Sequence, residues 1–220
     1  MAAKGYKGIG MDGFIARFYD KNARQYSMEQ YETWAQKIVR QISEHRSVLE
    51  IAPGPGYLAI ELAKADHLQI VGLDISETFV QIAQENAQQA GVTVEFRQGD
   101  VTCMPFDDEM FDFIVCTSAF KNFAEPVTAL NEMYRVLNSK GKAWISDLRH
   151  DVTNQAIADY VKNAMKIKGL AALNMKLAFQ YMLRGRAYTK DQFKAFIAQT
   201  KFRHYEIQEN SMEFEIWLEK

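Results

Sequence analysis

The chain has 220 residues, of which 48% are hydrophobic and 12% aromatic, and it carries a formal net charge of −2. That length suits one α/β domain with a full apolar core, and a near-neutral charge takes away the basic surface on which general nucleic-acid binding rests. Two cysteines, Cys103 and Cys116, are too few for a disulfide framework and have no zinc-type partners nearby, so a reduced, cytoplasmic setting without a bound metal is expected.

The opening "MAAKGYKGIGMDG" lacks the apolar core of a signal peptide, and no apolar run is long enough to cross a bilayer. Gly5, Gly8, Gly10 and Gly13 predict a tail that is flexible without ligand. A short helix is expected near 13–22. An amphipathic one over 28–43 follows, in which Met28, Tyr31, Trp34, Ala35, Ile38 and Ile42 recur at helical spacing. Residues 1–45 thus read as an N-terminal helical cap.

In "VLEIAPGPGYLAIELAK", Val48, Leu49 and Ile51 form a short buried strand, and Leu58, Ile60, Leu62 and Ala63 form one face of a helix. The turn between them is a βα loop. Gly54 and Gly56 allow a ligand to approach the backbone, while Pro53 and Pro55 stiffen the loop and remove two amide donors. A strand "QIVGLD" follows at 69–74. Ser76 then caps a helix carrying Phe79, Ile82, Ala83 and Ala87 and stopped by Gly91. "VTVEFRQGD" alternates Val92, Val94 and Phe96 as a strand does, and "FDFIVCTSAF" is a fourth strand buried on both faces. Pro126 opens a helix with Val127, Leu130, Met133 and Leu137 on one side, before a fifth strand "KAWISDLR" at 142–149.

This alternation predicts a Rossmann-like, doubly wound, mostly parallel sheet over 46–150. Residues 151–188 read as a helical lid rich in Met, with Met165, Met175 and Met182. The remainder, 189–220, reads as a helix and a hairpin, "FRHYEIQE" and "MEFEIWLEK" turning at about Asn210 and Ser211. Seven strands in a single domain, 1–220, with the last pair antiparallel, is the resulting expectation.

Glu50, Asp74, Asp100 and Asp147 all fall at or near the C-terminal ends of strands, on the side where the glycine turn opens. Asp74 ends the strand beside the first, where a carboxylate accepts hydrogen bonds from ribose hydroxyls. Glu50 stands before the loop, in a position to face an ammonium group. A pyrophosphate wants free amides and no carboxylate, the opposite of what Pro53, Pro55 and Glu50 offer. An adenosine with a cationic, amino-acid-like tail fits better, and S-adenosylmethionine answers that description. Gly54, Gly56 and Ala59 also satisfy G-x-G-x-x-A, which keeps a nicotinamide-dependent oxidoreductase as an alternative. A cofactor-binding scaffold without chemistry is a second alternative, since no residue stands out as a base.

The chain resembles the class I S-adenosylmethionine-dependent methyltransferases over residues 45–148. "VLEIAPGPGYLAIELA" is similar to that family's glycine motif, "VGLDIS" to its acidic ribose motif, and "FRQGDVTCMPFDDEMFDFIVC" to its third and fourth strands. "EPVTALNEMYRVLNSKGKAWISDL" is similar to the small-molecule branch that includes ubiquinone and menaquinone C-methyltransferases. The resemblance implies S-adenosylmethionine as cofactor, S-adenosylhomocysteine as product and a small-molecule acceptor. It implies that Glu50, Ala52, Gly54 and Gly56 meet the methionine part, Asp74 and Ile75 the ribose and adenine, Asp100 and Val101 the adenine edge and face, and Thr117 the sulfonium end. Tyr19 and Tyr26 lie in the segment that often closes this family's site. Ala52 departs from the pattern, standing where the family has its first glycine.

Acceptor-side candidates are Phe120, Lys121, Asn122, Arg149 and Arg186, with His150, Asp147 and Tyr188 as candidate bases. Imidazole is the commonest general base, which singles out His150; a solvent-facing loop histidine is the competing reading. Arg149, Arg184 and Arg186 suit either an anionic acceptor or a solvated charge cluster. The (N/D/S)PP(Y/F) pattern of nucleic-acid amino-methyltransferases is absent from "TSAFKNF", which argues against a nucleic-acid base as acceptor.

Overall fold

The computed structural model describes residues 5–7, 10–42 and 46–220. Its strands are β1 (Arg46–Ile51), β2 (Leu68–Asp74), β3 (Glu95–Gln98), β4 (Phe111–Thr117), β5 (Leu137–Leu148), β6 (His204–Glu209) and β7 (Glu213–Glu219). The helices are α1 (Phe14–Tyr26), α2 (Met28–Val39), α3 (Tyr57–Ala63), α4 (Glu77–Ala90), α5 (Pro126–Val136), α6 (Asn154–Asp159), α7 (Gly169–Leu177) and α8 (Lys190–Ile197). One seven-stranded sheet runs in the order β3-β2-β1-β4-β5-β7-β6. The neighbouring pairs among β1 to β5 are parallel, and β7 is antiparallel to both β5 and β6. The order reverses between β1 and β4, which opens a crevice at their C-terminal ends.

Successive residues of β4 enter two different cores, as a sheet covered on both faces requires. Phe113 and Val115 join Trp34, Leu58 and Ile70 in one core, whereas Ile114 and Cys116 join Leu130, Met133 and Phe193 in the other. Helices α2, α3 and α4 therefore cover one face, and α5 and α8 the other. A third, smaller core ties the lid to the sheet: Leu148, Val152, Ile157, Val161, Ile167 and Met212, with Tyr26, Tyr160, Met175 and Phe179 packed against it. Among the described residues no helix is long and apolar enough to cross a membrane.

Several boundaries differ from the sequence expectation for local reasons. Helix α2 stops at Val39 rather than 43. Strand β3 starts at Glu95, not Val92, because Gly91 ends α4 in the left-handed region and the Val92 amide donates back to the Ala87 carbonyl at 3.2 Å. Strand β5 starts five positions early, with its register against β4 shifting between Phe111 and Phe113. The lid is not one continuous helix: π-helical turns at Tyr160–Ala164 and Ala178–Leu183 interrupt it. The tail expected to be flexible is docked where it is described. The Lys7 amide donates to Asn122 O at 2.7 Å, the Ala124 amide donates to Gly5 O at 2.9 Å, and Tyr6 bridges Phe123. Gly8 lies outside the described residues.

Candidate cofactor and acceptor cleft

The glycine turn is shaped by its own backbone. Ala52, Gly54 and Gly56 all have positive φ, at 55°, 55° and 81°. At Gly56 a Cβ would also come within 2.8 Å of both Ala83 Cβ and Phe96 Cζ, so glycine is required there twice over. Ala52 meets the same left-handed demand with a side chain, which explains why a glycine suits this position and why alanine carries strain.

Two carboxyls lie beside the turn. Glu50 is 2% exposed, lies near the Ala59 amide at the start of α3, and its Oε2 is buried with no hydrogen-bond partner among the described residues. Burial, with a smaller contribution from the Asp74 charge, pushes the Glu50 carboxyl up to about 8. Asp74 is 5% exposed and accepts the Gly54 amide at 3.0 Å and the Ser76 amide at 2.9 Å. Burial raises it to about 6 against the opposing pull of those amides. Neither carboxyl has a cationic side chain as partner among the described residues. A buried carboxyl without one suits a cationic ligand, which favours its ionised form, or one that donates hydroxyls. The same geometry disfavours a pyrophosphate, because the Gly54 amide is already committed to Asp74 and both prolines lack one.

The other expected cofactor residues are placed around these two. Tyr19 stands over the turn: its Cε1 lies 3.9 Å from where a Gly54 Cβ would be, and its ring meets Phe79 edge-on at 5.7 Å. Tyr26 instead packs into the lid core. Ile75 is partly exposed past the end of β2, Val101 is buried, and Thr117 closes β4 opposite Ser146. Asp100 Oδ1 accepts the Thr102 amide and hydroxyl, both at 2.8 Å. Its Oδ2 faces the tail, since a Cβ on Gly5 would lie 2.3 Å from it.

On the acceptor side the structure divides the candidates. Asp147 is 1% exposed and takes three hydrogen bonds: it accepts the Lys121 amide at 2.7 Å, the Lys121 ammonium at 2.8 Å and the Leu148 amide at 2.7 Å. This carboxylate anchors the 3₁₀ turn Phe120–Asn122, and its ion pair with the buried Lys121 ammonium commits it to a structural role. Phe120 is fully buried against Phe123, Phe193 and Tyr188, so it serves the core. Arg149 is taken by Asp151 in a two-pronged pair at 2.9 and 2.8 Å and by Asn210 O at 2.7 Å. Arg184 reaches Asn154 and Val152 O. Asn122 keeps a buried amide oxygen without a partner among the described residues. His150, Arg186 and Tyr188 line one pocket.

Three residues escaped the sequence reading. Tyr6 brings its phenol into the cleft, where burial raises its pKa and the charges of Arg186, Lys121 and Asp74 all reach it. Lys7 lies over the Tyr188 ring, 4.2 Å from its centroid, and donates to its hydroxyl. Glu213, on β7 opposite Leu148, is raised by burial to about 7 and accepts the Ser146 hydroxyl at 3.2 Å. "GYKG" carries no periodicity that pairs it with 122–124. Glu213 alternates with buried Phe214 and so reads as the wet side of a hairpin.

Fold and cleft together define a class I S-adenosylmethionine-dependent methyltransferase. The family model for a methyltransferase domain matches residues 42–210, and the chain belongs to that family. It is 28% identical over 203 residues to the demethylmenaquinone methyltransferase of Staphylococcus carnosus, covering 88% of this chain and 83% of that one. Among solved structures it is similar to a proposed S-adenosyl-L-methionine-dependent methyltransferase of Methanococcus maripaludis, with TM-score 0.77 and 22% identity over 99% of this chain and 97% of that one. It also resembles the plantazolicin methyltransferase BpumL, crystallised in complex with a monoazolic desmethylPZN analog and S-adenosylhomocysteine. There the TM-score is 0.70 at 15% identity, over 94% and 90% of the two chains.

Proposed function

We propose that the cleft at the ends of β1, β2 and β4 holds S-adenosylmethionine for methyl transfer to a small molecule lodged between the tail and the lid. The observation that carries this reading is the pair of buried carboxyls, Glu50 and Asp74, set beside a positive-φ turn without cationic partners among the described residues. Glu50 with Ala52, Gly54 and Gly56 would hold the methionine part, and Asp74 with Ile75 the ribose. Asp100 and Val101 stand at the adenine end, Thr117 at the sulfonium end, and Tyr19 over the opening. Tyr26 acts through the lid it packs against.

When bound, the cofactor supplies an already activated methyl group. The chain's own contribution is then positioning and the exclusion of water. The Lys121–Asp147 pair holds the turn after β4 in place, and Tyr6 and Tyr19 cover the cleft. Glu213, poised near neutrality beside Ser146, is the carboxyl best suited to take a proton from an acceptor that must lose one. The free thiols of Cys103 and Cys116 support a cytoplasmic setting.

Calorimetric titration with S-adenosylhomocysteine tests the reading. Saturable binding is expected, and Asp74→Ala should weaken it by about 1.5–3 kcal/mol, the range for hydrogen bonds to a charged group. Unchanged affinity in that variant would remove the ribose role.

A further inference from the structure

A pocket of about 360 Å³ lies between the tail and the segment that joins the lid to α8, lined by Lys7, His150, Arg186, Tyr188, Thr189 and Gln192. Its volume falls in the usual range for small-ligand sites. Two of these side chains, Lys7 and Arg186, carry positive charge, and among the described residues no carboxylate lines the pocket. Several acceptor atoms around it are already engaged. Gln192 Oε1 takes the Thr189 amide at 2.9 Å, Thr189 Oγ1 takes the Gln192 amide at 3.2 Å, and Arg184 O sits 3.0 Å from His150 Nδ1. The donors that remain are the Lys7 ammonium, the Arg186 guanidinium, the Thr189 hydroxyl and the Gln192 side-chain amide, beside His150 Nε2, which is the acceptor nitrogen when Nδ1–H donates to Arg184 O.

Arg186 makes no ion pair or side-chain hydrogen bond among the described residues, in contrast to Arg149 and Arg184. Lys7 rests on a neutral phenol rather than a carboxylate. The pocket lies on the side of the sheet where the cleft opens. The Lys7 amide donates to Asn122 O just past the end of β4, and the His150 amide, just past the end of β5, donates to Tyr188 O at 3.1 Å.

We propose that this pocket binds the anionic group, a carboxylate or a phosphate, of the methyl acceptor. The inference rests on the reading of the neighbouring cleft as the cofactor site, and it sets the acceptor apart in chemistry from a wholly apolar molecule. Guanidinium and ammonium donors together give charge-assisted, directional recognition of either oxyanion.

The test is a calorimetric titration of the full chain with benzoate and, separately, with inorganic phosphate, each with and without saturating S-adenosylhomocysteine. At least one anion should bind saturably, and which one does distinguishes carboxylate from phosphate. Arg186→Gln and Lys7→Gln should each weaken that binding about tenfold or more, as loss of a charge-assisted hydrogen bond predicts, while S-adenosylhomocysteine affinity stays within about twofold in Arg186→Gln. If neither anion binds, or if Arg186→Gln binds both as well as the parent chain, the proposal is overturned. Should S-adenosylhomocysteine fail to bind the parent chain, the cofactor reading falls, and the titrations without it still decide the anion site.

Discussion

Replacing Glu50 by Gln tests the chemistry of the cleft most directly. The carboxyl titrates at about 8 in the folded chain against an ordinary 4.5. Near pH 7 it therefore holds its proton in about nine molecules of ten. A cofactor that brings an ammonium group to this carboxyl favours its ionised form, so binding should expel that proton. Asp74, at about 6, is already about nine-tenths ionised at the same pH and contributes only about 0.1 proton. Titrating S-adenosylhomocysteine in buffers of different ionisation enthalpy should reveal release of up to about one proton from the parent chain at pH 7. Affinity should rise about tenfold per pH unit up to about pH 8. Glu50→Gln should release almost none and bind with little dependence on pH.

Stability gives an independent reading of the same group. A raised carboxyl favours the folded state fully below its unfolded pKa, and that contribution is lost as pH climbs from 4.5 through about 8. The loss amounts to at most roughly 5 kcal/mol at 1.36 kcal/mol per pKa unit. Without ligand, Glu50→Gln should therefore gain on the parent chain in urea denaturation at pH 8 and show no such gain at pH 4. Buffer-independent binding heats in the parent chain, or equal proton release in the variant, would refute the reasoning.

Two further outcomes follow from the geometry. Lys121→Met leaves the Asp147 carboxylate buried with only its amide partners and should cost about 3–5 kcal/mol in urea denaturation, whereas Lys121→Met with Asp147→Leu should recover much of it; additive losses would mean that the pair is not coupled. Ala52→Gly removes a left-handed strain of roughly 1–2 kcal/mol at the cost of about 0.5–1 kcal/mol in chain entropy, so the melting temperature should rise by a few degrees at most. A fall would contradict the positive φ assigned to Ala52.

The order of strands and helices, the glycine turn and the carboxyls at the strand ends were legible in the sequence because each is a local property. A nearly continuous apolar run marks β4, Ser76 and Gly91 bound α4, and the left-handed φ at Gly56 asks for glycine in the turn. Tertiary structure alone decided which of the candidate side chains are free. Asp147 and Arg149 look like chemistry in the sequence, yet each is consumed by partners near or distant in the chain, Lys121 for one, Asp151 and Asn210 for the other. Tyr6 and Lys7 look like a featureless tail, yet they reach the cleft and its neighbouring pocket by pairing with residues 122–124, more than a hundred positions away. Hydrophobic period and turn chemistry are written within a window of a few residues. Whether a buried charge finds a partner depends on which distant segments meet it, and that is settled only when the chain folds.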